Sequence, residues 1–314
     1  LPEIASVIAG LKFIDREPQR LFHGRGGLYP GFEFLSIDWL CPVILVTLYK
    51  TQGAGWEAAL VRQLQGVMPV DVESIVIQDR SQKPALFKTL WGKPVDRFAV
   101  TERGLQYSLD FSAGMHTGLF LDMAEARQWI RAHANGKRVL NLFSYTCAFS
   151  VAAIAGGADT VVNMDLSRVS LNRGRESHRL NKHEMRGVKF FAHDIFRSWG
   201  KLKRLGPFDL VIIDPPSYQP GSFVSGKDYP RVFRQLPGLL AEQAEVLACS
   251  NDPDQSPAFL QALVSEYCPA LTLEQRLPNP LAFADADEQR SLKVLHFKPG
   301  GFAALPVKAI TNVT

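Results

Sequence analysis

From Lys137 onward one pattern repeats: a short apolar run rich in β-branched residues, a polar residue at its carboxyl end, then a stretch with helical periodicity. The runs are residues 139–143, 160–165, 188–194, 208–214 and 245–250. Apolar runs of that length read as strands covered on both faces, and strands alternating with helices assemble into a doubly wound parallel sheet. Residues 271–276 and 292–297 also read as strands, but a loop rich in Pro and Asp joins them in place of a helix. They are expected to close the sheet as an antiparallel hairpin.

Ahead of residue 104 the order is different. Segments 32–37, 43–49, 72–78 and 97–100 have strand chemistry and 57–68 has helical periodicity, which describes a small α+β unit over residues 1–104. Residues 105–111 are expected to form a strand before segment 114–122 leads into a helix around 123–134, opening a larger unit, 105–314. The 314 residues, 46% of them hydrophobic, suffice for the cores of two such units. The longest apolar candidate for a membrane span, residues 39–48, is strand-length and broken by Pro42, so no span is expected. The first residues show no basic stretch followed by an apolar one, and a cytoplasmic protein is the expectation. Cys41, Cys147, Cys249 and Cys268 lie far apart with no CxxC pair, which argues against a zinc site and a disulfide framework. A net charge of +4 is compatible with a polyanionic partner without requiring one.

Ligands of an open parallel sheet sit beyond the carboxyl ends of its strands, where the strand order reverses. The polar residues gather at those ends: Asn141, Ser144, Tyr145 and Thr146 at the first, Asp165 at the second, His193 and Asp194 at the third, Asp214-Pro215-Pro216-Ser217 at the fourth. A dinucleotide needs a GxGxxG turn to bring backbone amides onto its pyrophosphate, and the turn after the first strand has none. S-adenosylmethionine carries no phosphate but does carry a sulfonium, for which Phe143 and Tyr145 are candidate contacts. Asp165 stands where an acid meets ribose hydroxyls, and Asp194 could accept from the adenine amino group. Either acid is equally readable as a helix cap. Thr117, Phe120, Leu166, Ser167, Asn172 and Ile195, with Asp214, complete the expected cofactor set. The two prolines make a stiff, extended elbow that can hold a planar amino-bearing base edge-on; a plain turn after a buried strand is the alternative.

GMHTGLFLDMAEAR at residues 114–127, VLNLFSYTCAFSVAAIAGGA at 139–158, DPPSYQPGSFVSGKDYPRVFRQLP at 214–237 and HGRGGLYPG at 23–31 resemble the ribosomal RNA large-subunit methyltransferases that modify cytosine carbon 5 or guanine nitrogen 7. The likeness covers roughly residues 20 to 300. It implies an α/β, Rossmann-like class I methyltransferase unit with a doubly wound, mostly parallel sheet and a closing antiparallel hairpin, behind a small α+β unit. It further implies S-adenosylmethionine as cofactor and RNA, ribosomal in kind, as partner, with no membrane and no metal; a homodimer stays open. The additional N-terminal RNA-binding domain of some relatives is expected to be absent. Relatives commonly read YTGGF where this chain has Tyr145-Thr146-Cys147-Ala148-Phe149, so cofactor placement is expected to differ slightly.

Cytosine carbon 5 becomes nucleophilic once a thiolate has added at carbon 6, so that reaction needs a cysteine in the cleft. Cys249 ends the fifth strand, beside the strand that carries the elbow, and family members with the cytosine activity have a cysteine at this tip. It is the candidate nucleophile, with Asp214, Pro215 and Pro216 at the target base. A buried core thiol is the alternative, since no basic neighbour is visible to activate it. A guanine or exocyclic nitrogen would need no covalent step, only positioning by Asp214. A small-molecule or protein methyltransferase and a non-catalytic RNA-binding module with a degenerate cleft are the rival classes.

Arg168, Arg175, Arg179 and Lys182 recur at helical spacing, and Arg16, Arg20, His23 and Arg25 gather beside glycines. Each group is readable as a phosphate-tracking face, or as a solvated helix face in the first case and a packing turn in the second. Phe223, Tyr229 and the loop segment 218–228 are candidates for stacking on a base displaced from its helix.

Overall fold

The computed structural model describes residues 2–11, 16–68, 71–112, 116–219 and 223–300. The N-terminal part runs α1 (Pro2–Ala9), β1 (Gln19–His23), β2 (Leu35–Leu40), β3 (Val43–Leu48), α2 (Trp56–Gln65), β4 (Ser74–Asp79) and β5 (Phe87–Gly92), and its five strands form one sheet in sequence order. β3 and β4 are parallel, with α2 as their crossover, and the other neighbours are antiparallel. Alternate residues of β3 go to opposite faces, as the period of a strand requires. Ile44, Val46 and Leu48 pack with Ile4, Ile8, Leu60 and Leu64 of the two helices. Val43 and Leu45 join the cluster that holds Val100, Tyr107 and Leu109.

Those last three residues belong to a separate antiparallel hairpin, β6 (Arg97–Glu102) and β7 (Leu105–Asp110). The boundary expected near residue 104 falls at the tip of this hairpin, in the turn Arg103-Gly104. Arg127 ties the hairpin to α3 (Ala124–His133), the helix on which it stands. Its guanidinium donates to both carboxylate oxygens of Glu102 at 2.7 and 2.6 Å and to the Phe120 carbonyl at 2.7 Å. The bidentate geometry satisfies two buried charges at once.

The larger sheet is built from β8 (Arg138–Leu142), α4 (Ala148–Ala155), β9 (Thr160–Asp165), α5 (Arg168–Leu180), β10 (Val188–Ala192), α6 (Trp199–Leu205) and β11 (Phe208–Ile213). There follow a two-stranded ribbon, β12 (Tyr218–Gln219) and β13 (Phe223–Val224), then α7 (Ser225–Phe233), β14 (Leu240–Ser250), α8 (Pro257–Tyr267), β15 (Leu271–Arg276) and β16 (Lys293–Pro299). The strand order is β10-β9-β8-β11-β14-β16-β15. The first five in that order are parallel; β16 inserts antiparallel between β14 and β15 as the closing hairpin. The chain winds outward from β8 to β10 and then returns to β11 on the other side of β8. That reversal makes the β8/β11 carboxyl edge the switch point.

The two faces of this sheet feed separate cores. Val139, Val161, Leu210, Ile212 and Leu247 face α3 and α4 in the cluster that reaches the N-terminal sheet. Leu140, Leu142, Val162, Val211 and Ile213 pack with Leu202, Val232, Phe233 and Leu260 on the opposite side. A slip of one residue in any strand would exchange these sets, so register, and with it the position of each strand tip, is tightly specified. At the start of α5 the Ser167 hydroxyl accepts the Ser170 amide at 3.1 Å, which caps the helix directly after the β9 tip. Among the described residues no helix is long and apolar enough to cross a membrane.

Candidate functional site

A cavity of about 850 Å³ opens at the switch point, a size suited to a small-molecule ligand. One wall is the turn after β8, where Phe143, Tyr145 and Cys147 have φ of 56°, 45° and 59°. Left-handed backbone costs a residue with a Cβ roughly 1–2 kcal/mol, so three such residues in one turn must be held by their surroundings. The Ser144 amide donates to the Met164 carbonyl at 3.2 Å, and the Tyr145 amide donates to Asp165 Oδ2 at 2.9 Å. The Thr146 hydroxyl donates to the Gly118 carbonyl, and the Tyr145 hydroxyl to the His116 carbonyl at 3.2 Å. The turn is thereby fastened to β9 on one side and to segment 116–123 on the other. Cys147 adopts the left-handed conformation that glycine favours. Its thiol is buried, which pushes its pKa up.

Asp165 and Asp194 form the adjoining wall. Asp165 accepts the Tyr145 amide on one oxygen and the Ser167 amide on the other at 2.7 Å, while burial pushes its carboxyl above the usual range. Asp194 accepts the Phe196 amide at 2.8 Å and caps the turn Ile195–Arg197. The two acids therefore fix local backbone and line the cavity as well.

The floor carries two further acids, Asp122 and Asp214. Ile213 of β11 is in register with Ala248 of β14, so Asp214 stands beside Cys249. Burial, then repulsion from Asp122, raises the Asp214 carboxyl to about 7, with Arg127 opposing. Asp122 is raised by burial too, against the pull of Arg20 and Arg127. Cys249 lies in the core, and its thiol is pushed well above the ordinary range by burial and by these two carboxyls. The Tyr229 hydroxyl donates to the Cys249 carbonyl.

Of the expected residues, Phe120, Phe143, Ser144, Tyr145, Thr146, Asp165, Leu166, Ser167, Asp194, Ile195, Asp214, Pro215 and Pro216 line this one cavity. Four others stand elsewhere. Thr117 is buried, with its carbonyl accepting the Asp110 amide at 2.9 Å. Asn141 points into the sheet layer and donates to Asn163 Oδ1 at 3.0 Å. Asn172 is on the solvent face of α5, accepting from Arg175 at 2.6 Å. Cys249 is covered, and Asn251, two residues later, reaches the wall in its place.

Phe223 and Tyr229 are core residues, 1% exposed each and edge-on to one another, which removes them as free stacking platforms. Residues 220–222 of that segment lie outside the described ones. Arg20 is occupied by Asp38, Arg16 pairs with Asp71 at 3.2 Å, and Arg25 stacks on Tyr49 at 4.1 Å. The glycines beside them serve packing: a Cβ at Gly24 would meet the Phe32 carbonyl at 1.9 Å, and one at Gly26 the Ala284 carbonyl at 2.4 Å. On α5, Arg168 and Arg179 are exposed and Arg175 stacks on Phe190 at 4.5 Å; Lys182, just beyond its end, is exposed too, and none of these lines the cavity.

Residues without a signal in the sequence include His116, Asp122, Arg127, Phe196 and Asn251. Asp122 and Arg127 sit inside the GMHTGLFLDMAEAR run, but only the fold turns that segment back over the strand tips.

A doubly wound sheet of this order, with acids and aromatic rings rather than a glycine-rich amide cradle at its switch point, defines a Rossmann-like class I fold for a nucleoside cofactor without phosphate. The family model described as S-adenosylmethionine-dependent methyltransferase matches residues 19–298. The chain belongs to that family, and its cofactor is S-adenosylmethionine. It is 37% identical over 251 residues to a candidate ribosomal RNA large subunit methyltransferase of Bacillus subtilis, covering 76% of this chain and 61% of that protein. Over 292 residues it is 32% identical to ribosomal RNA large subunit methyltransferase I of Erwinia tasmaniensis, covering 88% of this chain and 67% of that one. It therefore spans about three fifths of the Bacillus relative's length. A candidate S-adenosylmethionine-dependent methyltransferase from Streptococcus mutans superposes with a TM-score of 0.83 at 26% identity, covering 94% of this chain and 81% of that one. A candidate methyltransferase crystallised with S-adenosylhomocysteine superposes at 0.81 with 27% identity, covering 90% and 75%.

Proposed function

We propose that this chain methylates a base of large-subunit ribosomal RNA, at carbon 5 of cytosine. The observation that carries this reading is the position of Cys249: in register beside Asp214, directly behind the cavity floor formed by the proline elbow. The relatives named for ribosomal RNA methylation support the substrate class.

When bound, S-adenosylmethionine supplies an electrophilic methyl group on a sulfonium. Asp165 would hold the ribose hydroxyls and Asp194 the adenine amino group. The rings of Phe143 and Tyr145 would flank the sulfonium and exclude water from it. Asp214 and the carbonyls of Pro215 and Pro216 would hold the amino edge of the target base, the elbow being stiff before the base arrives. Cys249 would add to carbon 6, which requires its thiol to lose a proton at the floor and a small opening of the cover over its sulfur.

That cover favours one second reading. A thiol enclosed in the core with no basic group beside it suits methylation of a guanine or exocyclic nitrogen, for which positioning alone is enough. Cys249→Ala separates the two. Under the first reading it abolishes methylation of ribosomal RNA while cofactor binding, followed by calorimetry, is retained. Turnover near that of the unaltered protein eliminates the covalent route.

A further inference from the structure

Residues 193–235 carry seven Lys and Arg against four Asp, and the fold sorts the two signs. The acids are turned inward. Asp194 and Asp214 line the cavity, Asp209 accepts the Arg138 amide at 2.8 Å, and Asp228 is buried, accepting the Val224 amide at 2.8 Å. Among the described residues of this stretch the exposed charged side chains are all basic. A merely solvated surface intersperses both signs, whereas a face that exposes one sign suits a polyanion.

This face begins at the cavity mouth. The amide of Ser225, the first residue of α7, donates at 3.2 Å to the carbonyl of Ser217, which lines the cavity. Lys227, Arg231 and Arg234 follow at i, i+4 and i+7, an exposed stripe about 10 Å long on one side of the helix and its end. The Arg231 guanidinium lies 4.0 Å over the ring of Phe196, a half-buried cavity residue from the turn before α6. It gives one donor to Asp228 at 2.6 Å and keeps the rest of its fork for a ligand. Arg197, beside Phe196, has a side chain 88% exposed and touches Asp194 at 3.5 Å. Lys227 stands in the first turn of α7, where a cation opposes the helix dipole, so its charge does not serve the helix.

We propose that the basic stripe of α7, with Arg197 at the mouth, is the docking face for the RNA strand whose base enters the cavity. Its cations hold backbone phosphates, and the stacked pair of Arg231 and Phe196 receives a neighbouring base, since guanidinium planes and aromatic rings both accept one. The proposal rests on the reading of the cavity as the site of base methylation and names the surface that presents the substrate to it. The basic residues of α5 are the natural comparison. That helix packs against β7, on the side of the sheet away from α7, and Arg168, Arg179 and Lys182 offer the same amount of charge far from the mouth.

The test is fluorescence anisotropy with a fluorescein-labelled single-stranded RNA of about 16 nucleotides, followed from about 50 to 200 mM salt. The triple variant Lys227→Ala, Arg231→Ala, Arg234→Ala should bind about tenfold or more weakly at about 50 mM salt. The slope of log affinity against log salt should become shallower by about 2, from roughly 0.7 for each of three phosphates. The triple Arg168→Ala, Arg179→Ala, Lys182→Ala removes the same charge and should stay within about twofold of the unaltered protein, because charges that far from the strand are screened. An α7 triple that binds as the unaltered protein does overturns the proposal, and so does an equal loss in the two triples, which would make the effect one of net charge. Calorimetry with S-adenosylmethionine checks that each triple is folded. If the alanines disturb α7, Lys227→Gln with Arg231→Gln keeps the side-chain stems and carries the same salt series. RNA bound with the expected slope but never methylated would sink the functional reading and leave the docking face standing. RNA methylated by the α7 triple at an unchanged KM would do the reverse.

Discussion

Asp214→Asn should make the protein more stable at alkaline pH while removing its activity. Asp214 titrates near 7 in the folded chain against 3.8 as its ordinary value, because burial and then Asp122 disfavour the charge. At about 1.4 kcal/mol per pH unit, ionising it in the native state costs up to about 4 kcal/mol, and contact with cavity water reduces that to roughly 2–4 kcal/mol. A folded pKa raised above the unfolded one means stability that is fully present below about pH 4 and lost as pH climbs through about 7. The substituted amide has the same shape as the carboxyl and no charge to bury. Urea denaturation of both proteins should therefore agree within about 0.5 kcal/mol near pH 4 and diverge by roughly 2–4 kcal/mol in favour of Asp214→Asn near pH 8. Loss of methylation alongside that gain would mark the strain as functional. An equal difference at both pH values, or none at pH 8, refutes the reasoning, because a carboxyl that ionises freely carries no such penalty.

Arg127→Ala should destabilise the fold by about 3–5 kcal/mol in urea denaturation, since it leaves the Glu102 carboxylate buried without its partner and frees the Phe120 carbonyl. Glu245 is held down to about 2, first by the hydrogen bond from His296 and then by Lys137. Its stabilisation is present above about pH 4.5 and lost as pH falls toward 2, so Glu245→Gln should cost about 1–2 kcal/mol near pH 7, with the gap closing near pH 2. Pairing with exposed solvent nearby keeps that figure below the full shift.

The central strands are legible in the sequence because each is buried on both faces and reads as a mostly apolar run between turn residues. β1, with the sequence QRLFH, and β5, with FKTLWG, mix polar and apolar residues too briefly to separate from loop. Asn141 reads as a cavity residue because it is polar and near a strand end. It lies inside the strand, one residue before the end, where its side chain meets Asn163 across the layer. The same one- or two-residue margin separates Cys249 from Asn251: β14 continues to Ser250, so the tip that reaches the cavity comes later. The left-handed conformations at Phe143, Tyr145 and Cys147 leave no signal, since the residues that adopt them are not glycine. Asp122 is hidden for a different reason. A carboxylate at the start of a helix is ordinary in sequence, and only the fold brings it to the cavity beside the β11 tip.

Incubating the purified protein with large-subunit ribosomal RNA and methyl-labelled S-adenosylmethionine, then digesting the RNA for mass spectrometry of its nucleosides, tests the cavity's role most directly. The expected result is label in 5-methylcytidine from a single RNA fragment, absent with Cys249→Ala. Cofactor binding by calorimetry with no label in any RNA nucleoside would contradict it.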